Sequence, residues 1–196
     1  SSRYGTLRLC PLDSGIVRVT FARGTSLSRD EAPPLTIKGA DGAWMYKTLG
    51  NVVEVTTDEL CLRVDKTGGA ITYMTRDKKP LLSERPRECR QIENGPGGVR
   101  TWLYLDWKKE ESLQGIRAGG TGVSLRRSAR YISHGGKGKE LPLLVSDRGY
   151  GILFPTDRPT ICCDIPTYGS YLYTENVTQM DFYFLLAGAL KKIEVL

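Results

Sequence analysis

The chain has 196 residues, of which 40% are hydrophobic and 26% are charged. This composition is typical of a folded globular protein and excludes an intrinsically disordered chain. No apolar run approaches the roughly 18–20 residues that span a bilayer, so the sequence excludes a transmembrane helix and predicts no membrane partner.

The charge balance is basic, because 28 Lys and Arg residues face 22 Asp and Glu residues, giving a formal net charge of +6. The densest basic cluster consists of Arg126, Arg127 and Arg130, with Lys137 and Lys139 beyond it. A dedicated nucleic-acid binder usually concentrates its charge along one element, whereas these basic residues are spread thinly. We therefore expect a solvated basic face and no nucleic-acid partner.

The cysteine pattern argues against a metal site. The chain contains five cysteines without C-x-x-C spacing and a single histidine, His134. Structural zinc needs paired Cys and His ligands, so the sequence predicts neither a metal nor another cofactor. We expect reduced, mostly buried thiols in a cytoplasmic protein. Residues 1–3 contain neither Met nor an apolar signal region, which is typical of a truncated terminus and leaves a removed secretory signal open.

Strand patterns dominate the first half of the chain. Tyr4–Cys10 and Ile16–Phe21 flank a turn-rich connector, which predicts an antiparallel pair. In the second of these segments apolar residues alternate with polar ones, as expected for a strand with one buried face. The segment 27–41 contains two consecutive prolines and is predicted to be a loop. Three more strands are predicted at Val52–Thr57, Leu60–Val64 and Ala70–Met74.

The second half continues in the same way. Thr101–Trp107 carries aromatic or apolar groups on both faces, and residues 117–140, rich in Gly and basic residues, predict a long loop or weakly patterned strands. The remaining predicted strands are Leu141–Ser146, Gly151–Phe154, Thr160–Ile165, Tyr168–Tyr173 and Asp181–Leu186. About a dozen short strands at nearly regular spacing favour an antiparallel sandwich or barrel.

The last residues follow a helical pattern instead. Leu186, Leu190, Ile193 and Leu196 recur at helical spacing, which predicts a helix over 187–196. The pattern stops on an apolar residue, although an apolar helix end usually packs against another element. We therefore predict a truncated linker helix that leads into further sequence of a longer protein.

Catalytic patterns are weak in this sequence. A Ser-His-Asp triad needs a histidine base, and His134 lies in a Gly-rich stretch, 133–138, that favours an exposed loop. Neighbouring carboxylates such as Glu110 and Glu111 suit acid–base work on a sugar, but a solvated surface explains them better. The Gly-rich segment 119–122 lacks the Lys-Ser/Thr ending of a phosphate-binding loop. The residues alone do not predict an active site.

Aromatic residues offer two interpretations. They are numerous enough to stack on sugar rings, and they also fill sandwich cores efficiently, which is the interpretation we favour. Periodicity cannot separate the two. The candidates are Trp44, Tyr46, Trp102, Tyr104, Trp107, Tyr168, Tyr171 and Tyr173.

Two segments resemble a known family. Leu141–Phe154 reads LPLLVSDRGYGILF and resembles the P-F-L-V-S-S-R-G-Y-G-L-L-W segment in the N-terminal domain of family-31 glycoside hydrolases, the α-glucosidases and α-xylosidases. Met180–Gly188 is similar to the D-Y-Y-F-I-x-G strand that closes the same domain. Weaker matches precede them in the family's order, at Leu60–Val64, Ile71–Met74, Leu81–Glu84 and Ser112–Gly115.

The resemblance implies an all-β fold, an antiparallel β-sandwich of the galactose-mutarotase-like type, over residues 1–186. Residues 187–196 would then be the truncated linker helix towards a (β/α)8 barrel. Since the family's two catalytic aspartates lie on that barrel, no catalytic residue is assigned to this chain. The structural motif residues that the resemblance implies are Ser146, Arg148, Gly149, Tyr150, Gly151, Asp181 and Tyr183.

In the family, one loop of this sandwich reaches the rim of the sugar site. By position the loop would lie within residues 117–140, where this sequence departs from the family pattern, and His134 is its candidate substrate contact. The implied function is a non-catalytic N-terminal domain of an α-glycosidase acting on α-glucosides or α-xylosides. Such a domain would support the barrel and line one side of the sugar pocket, and we expect the isolated chain to be inactive.

Two other functions stay open at this point. The aromatic count motivates an independent carbohydrate-binding module as the alternative. Aldose epimerisation is less favoured, because it pairs a histidine acid with a carboxylate base and the sole histidine is predicted to lie in a loop. Carbohydrate and the parent protein's catalytic barrel are the expected partners. Self-association into a homo-oligomer through an exposed barrel-facing patch is left open.

Overall fold

A computed structural model describes residues 5–27, 35–37, 42–116, 122–135 and 142–195. Within these ranges the chain is mostly β-strand, and the strands are labelled β1 to β19 in chain order. Their bounds are Thr6–Asp13, Ile16–Ala22, Leu35–Ile37, Met45–Leu49, Val52–Thr56, Leu60–Asp65, Ile71–Thr75, Pro80–Glu84, Arg90–Gly95, Gly98–Asp106, Leu113–Ile116, Gly122–Ser124, Ala129–Ser133, Leu143–Ser146, Tyr150–Leu153, Thr160–Ile165, Gly169–Glu175, Gln179–Leu186 and Ile193–Val195. A 3₁₀ helix, Ala187–Lys192, connects β18 to β19.

The strands form two large antiparallel sheets that pack face to face. The first sheet has seven strands in the order β1-β2-β18-β15-β14-β11-β12. The second sheet has ten, in the order β13-β16-β17-β10-β8-β7-β6-β5-β4, with β9 paired to β10. The short strands β3 and β19 pair with each other separately. The all-β antiparallel sandwich predicted from the sequence is therefore confirmed.

The alternation of apolar and polar residues turns one face of each sheet towards a common core. On β18, Phe182 and Phe184 are almost fully buried between the sheets, while Asp181 lies on the opposite face. The ring of Phe184 stacks on Tyr73 of the second sheet, with centroids 4.2 Å apart. Burying one such side chain contributes about 1.5–3 kcal/mol, so these rings are a principal link between the sheets.

A second apolar cluster lies on the outer face of the first sheet. The 3₁₀ helix covers this face, where Ala189 packs with a group that includes Ile16 and Leu185. The Lys192 ammonium donates hydrogen bonds of 2.8 and 3.0 Å to the Asp13 carboxylate at the end of β1. The residues after β18 therefore fold back onto the sandwich.

The segment after β18 differs from the predicted linker helix. A helix does begin at Ala187, but it is a 3₁₀ helix of six residues, and the backbone is extended again at Ile193, with φ −90° and ψ 125°. Ile193–Val195 pair with Leu35–Ile37 instead of continuing the helix. β-Branched residues favour strands, and the pairing satisfies backbone groups that a free helix end leaves open. Leu196 lies outside the described residues.

Strands form in the predicted loop 27–41 and in the segment 117–140, where a long loop and weakly patterned strands were both predicted as possible structures. The predicted loop 27–41 includes β3, and the segment 117–140 includes β12 and β13, while the other parts of both segments lie largely outside the described residues. β12 pairs with β11 and β13 pairs with β16, so contacts with distant segments, not the local pattern, decide these strands. The division of the chain at residue 186 stays a prediction.

Candidate functional site

The motif residues around Tyr150 converge on the carboxylate of Glu111, which is buried and not on the solvated surface that the sequence predicted for it. The Tyr150 hydroxyl donates a hydrogen bond to Glu111 Oε1, and the Ser146 hydroxyl donates another of 2.6 Å to the same oxygen. The Lys108 backbone N–H donates to Glu111 Oε2 at 2.9 Å. Burial, followed by the nearby Glu111 charge, raises the pKa of Tyr150 far above its usual range, so its hydroxyl stays a donor.

Arg148 joins the two sheets. Its Nε donates to the Leu81 carbonyl at 3.0 Å and its Nη2 to the Pro80 carbonyl at 2.6 Å, both on β8 of the second sheet. Gly149 adopts φ +86°, which an L side chain rarely tolerates, and a Cβ on Gly151 would lie 3.2 Å from the Leu144 carbonyl oxygen. The turn between β14 and β15 therefore depends on glycine at positions 149 and 151, and the hydrogen bonds of Arg148 attach it to the second sheet.

Asp181 and Tyr183 lie on the outer face of the first sheet. Arg18 holds the Asp181 carboxylate in a two-point ion pair, with Nε–Oδ1 at 3.0 Å and Nη2–Oδ2 at 2.6 Å. Tyr183 is fully buried, and its hydroxyl has no hydrogen-bond partner among the described residues. Burial raises the pKa of Tyr183 to about 12. The ion pair of Asp181 and the burial of Tyr183 give both residues a structural role in the first sheet.

A buried ion pair that the sequence analysis missed lies in the second sheet. Arg90 Nη2 donates to Glu84 Oε2, and the two side chains are almost completely buried. Glu84 also accepts hydrogen bonds of 3.0 Å from the Tyr73 hydroxyl and from the Ile71 N–H. Arg90 Nη1 donates to the Gly69 carbonyl at 3.1 Å. The two residues are separated by only a short turn in sequence, but nothing in their local pattern indicates burial.

Arg90 also lines a cavity of about 660 Å³ between the β1 edge of the first sheet and β5, β6 and β9 of the second. This volume lies within the range of small-molecule sites. The interior is aliphatic and aromatic, and the rim carries charges of both signs. The lining includes Leu7, Leu9, Phe21, Val53, Val55, Val64 and Ile92, with Arg23, Asp65, Lys66, Glu88 and Glu93 around them.

Aromatic side chains form rows across the outer face of the second sheet. The strand registers place Trp102 opposite Tyr173, Tyr173 opposite Ile161, and Ile161 opposite Tyr131, so one row crosses β10, β17, β16 and β13. Their neighbours Leu103 and Leu172 point the other way, into the core. The surface called the aromatic face below consists of Trp102, Tyr104, Tyr131, Ile161, Tyr171 and Tyr173.

The rings of the aromatic face meet at angles instead of lying flat on one another. Trp102 and Tyr173 have centroids 5.3 Å apart and planes inclined by 53°, and Tyr104 and Tyr171 are 5.5 Å apart and inclined by 63°. All four side chains are partly exposed. Burial, then the hydrogen bond to Glu175, raises the pKa of Tyr173 to about 12, so the phenol is neutral at physiological pH.

His134 lies beside Tyr131, at the end of the row that begins at Trp102. It follows β13, is exposed, and stacks on Tyr131 with centroids 4.7 Å apart and planes inclined by 29°. The structure therefore brings the one predicted substrate contact next to the aromatic face. The motif residues around Glu111 lie on β14, β15 and the adjoining turn of the first sheet, whereas His134 follows β13 of the second.

The aromatic candidates divide into three groups. Trp107 is buried in the core, as the favoured interpretation expected. Trp44, Tyr46 and Tyr168 are exposed at the sheet edge and in a turn. The remaining four lie together on the aromatic face, which periodicity alone did not reveal. Tyr131 was missed, because only the pairing of β13 with β16 places it in the row.

Neither a metal centre nor a membrane span is evident in the described part of the chain. No group of three His, Cys, Asp or Glu residues there is arranged to hold a metal ion. None of its helices has the length and apolarity required to cross a bilayer. The five cysteines are all free, and four of them are buried.

Comparisons with known proteins agree on one fold. No protein-family model and no curated protein sequence matches the chain. An α-xylosidase of glycoside hydrolase family 31 from a soil metagenome, solved with xylose, aligns over 95% of this chain and 31% of its own, with TM-score 0.75 and 13% identity. A family-31 dextranase from Flavobacterium johnsoniae, solved with isomaltotriose, aligns over 94% and 24%, with TM-score 0.71 and 17% identity. A xylosidase from Aspergillus niger aligns over 94% and 29%, with TM-score 0.66 and 13% identity.

These alignments define the class of domain. The chain is a β-sandwich domain, and its fold recurs as one part of much longer glycosidases. In particular, it has the fold of a domain of family-31 glycoside hydrolases, which confirms the resemblance in its motifs at the level of the fold. The chain spans only 24–31% of the length of the three structures described above.

Proposed function

We propose that this chain is the non-catalytic N-terminal sandwich domain of a family-31 glycoside hydrolase that acts on α-glucosides or α-xylosides. One observation supports the proposal above all others. Nearly the whole chain aligns with each enzyme, but the aligned part is less than a third of that enzyme's length. The domain supports a catalytic barrel encoded elsewhere in the parent protein. Its own buried carboxylates hold the sandwich together, since Glu84 and Glu111 are engaged by hydrogen bonds from neighbouring groups.

Hydrolysis assays test this assignment. The purified chain is incubated with 4-nitrophenyl α-D-glucopyranoside and α-D-xylopyranoside, with the protein encoded by the complete parent gene as the positive control. We expect release of nitrophenol from the complete protein and only the buffer rate from the chain. Turnover by the chain itself on the order of 10 s⁻¹, an ordinary enzyme rate, overturns the non-catalytic assignment.

The coding sequence beyond Leu196 provides a second test. The proposal expects the reading frame to continue into alternating strands and helices with an aspartate at the end of a barrel strand. A frame that continues into an unrelated architecture contradicts it. A stop codon directly after Leu196 also contradicts it and leaves only a shared fold.

Within this proposal, His134 lines one side of the sugar pocket. Its exposure and its position beyond β13 support a contact with substrate outside the sandwich. In the complete protein, His134→Ala is expected to raise KM several-fold with little change in kcat, because a rim contact binds substrate and transition state alike. Tyr168→Ala, in a turn between β16 and β17, is the matched exposed control. An unchanged KM in His134→Ala refutes the role of His134 but leaves the domain assignment intact.

A further inference from the structure

We propose that the aromatic face binds a neutral oligosaccharide of α-linked glucose, laid along the row from Trp102 to Tyr131 in the direction of His134. The class of sugar rests on the proposed function, whereas the location rests on the strand registers and ring contacts. The site would hold substrate on the sandwich itself, along a row of rings that ends beside His134.

The row has the dimensions of a short oligosaccharide. Trp102, Tyr173, Ile161 and Tyr131 lie on four consecutive strands. Adjacent strands are about 4.8 Å apart, so the row extends about 14 Å and accommodates about three sugar rings. The face of an aromatic ring is negatively polarised and attracts the C–H groups on the face of a sugar. The ring planes of Trp102 and Tyr173 are inclined by 53°, so the two aromatic rings can contact one sugar ring from two directions.

Polar groups adjoin the rings where a sugar would present its hydroxyls. Gln91 lies opposite Trp102 on β9, and its Oε1 accepts a hydrogen bond of 3.3 Å from the Tyr104 hydroxyl. Glu175 lies two residues after Tyr173 on β17, and its carboxylate accepts a hydrogen bond from the Tyr173 hydroxyl. A few such groups beside apolar surface are the usual way in which a site fixes the orientation of its ligand.

The charges at the rim favour an uncharged ligand. Arg100 lies between Glu93 on β9 and Glu175 on β17 in the next register row, and Arg85 stacks over the Tyr104 ring at 3.8 Å. Arg85 also pairs with Glu88 at 3.8 Å, so two cations and three anions, all with a neighbour of opposite sign, line this rim and offer no concentrated charge to an ionic ligand. Arg85 stacks closely on Tyr104, whereas Arg100 lies farther from the Trp102 ring, at 5.8 Å, so Trp102 and Tyr173 are the less covered rings of the face.

The two sandwich faces differ in what covers them. The outer face of the first sheet is covered in part by the 3₁₀ helix of the chain itself. On the aromatic face the partly exposed rings contact one another, and among the described residues Arg85 and Arg100 lie within cation–π distance of Tyr104 and Trp102. A polar, ring-lined surface of this kind fits a sugar better than an apolar protein core, although a second protein copy is the rival occupant that the experiment must separate.

The test is saturation-transfer NMR of isomaltotriose and maltotriose with the whole chain, because this method observes the sugar protons and does not depend on a tryptophan signal. We expect saturable binding with Kd on the order of 1 mM. Trp102→Ala is expected to weaken binding by about tenfold or more. Trp44→Ala is the matched control, because Trp44 is 52% exposed but lies at the far edge of the same sheet. This variant is expected to bind the sugars as tightly as the unaltered chain does. Tyr173→Ala is the second variant, used if circular dichroism shows that Trp102→Ala does not fold.

Three outcomes overturn the inference. The first is no saturable transfer to either sugar, and the second is binding that Trp102→Ala and Tyr173→Ala leave unchanged. The third is a dimer in sedimentation velocity that Trp102→Ala converts to monomer, which assigns the face to a second copy. None of them affects the hydrolysis assays, so failure of this site and failure of the proposed domain assignment are distinguishable.

Discussion

The buried pair Glu84–Arg90 offers a sharp test of what stabilises the second sheet. The side chains of Arg90 and Glu84 are 2% and 0% exposed, so neither charge is solvated in the folded state. Arg90→Met keeps an unbranched apolar stem but removes the guanidinium. Glu84 then retains hydrogen bonds from the Tyr73 hydroxyl and the Ile71 N–H, without a counter-ion.

Leaving one member of a buried ion pair uncompensated typically costs about 3–5 kcal/mol. Because Arg90 lines the cavity, water that enters in the variant partly solvates Glu84 and moves the expected cost towards about 3 kcal/mol. For a chain of this length each kcal/mol lowers the melting temperature by about 2–4 °C, so Arg90→Met is expected to melt about 6–12 °C lower. Urea unfolding followed by circular dichroism measures the free energy of unfolding directly.

A double variant identifies the cause. Adding Glu84→Gln removes the stranded charge, and its amide keeps an acceptor oxygen for the Ile71 N–H while its NH2 can donate to the Tyr73 hydroxyl oxygen. The double variant is therefore expected to recover about 1–2 kcal/mol relative to Arg90→Met alone. Glu84→Gln by itself is the second edge of this cycle. A loss below about 1 kcal/mol in Arg90→Met, or a double variant no more stable than that single one, would refute the argument that an unpaired buried charge is responsible.

Two further perturbations probe the contacts that join distant elements. Glu111→Ala leaves the Tyr150 and Ser146 hydroxyls without their acceptor and is expected to lower the free energy of unfolding by about 3–5 kcal/mol. Ser146→Ala, the control, is expected to lower it by only about 1 kcal/mol. Equal losses for the two variants in urea unfolding would contradict the central role of Glu111. Burial alone raises the pKa of Asp13, but hydrogen bonds from Lys192 and the Gly15 N–H hold it below its usual value. Stability from this pair is therefore present above about pH 4 and disappears as the pH falls through the lowered pKa of Asp13. The urea midpoints of the unaltered chain and Lys192→Ala are expected to differ at pH 6 and to converge as the Asp13 carboxyl is protonated in strong acid. A difference that persists unchanged at the lowest pH would show that Asp13 is not the partner through which Lys192 acts.

The predicted site was accessible from the sequence only in part. The family-like segments around Tyr150 and Asp181 indicated the fold. Their contacts prove to be inter-sheet clamps and ion pairs, such as the one between Arg18 and Asp181, which are 163 residues apart in sequence. His134 was singled out by its position relative to a family loop. That it stacks on Tyr131 depends on where β13 pairs, which no local pattern contains.

The sequence by itself determined the all-β class and many of the strands, because the alternation of apolar and polar residues is a local property with the period of an extended chain. It did not predict β3, β4, β9 or β19. It did not determine the end of the chain, where helical spacing gave way to a 3₁₀ helix and a strand paired with β3. Nor did it reveal the aromatic face. Trp102, Tyr173 and Tyr131 become neighbours only when four strands align, and that register is set by long-range pairing and by burial of the opposite face in the common core.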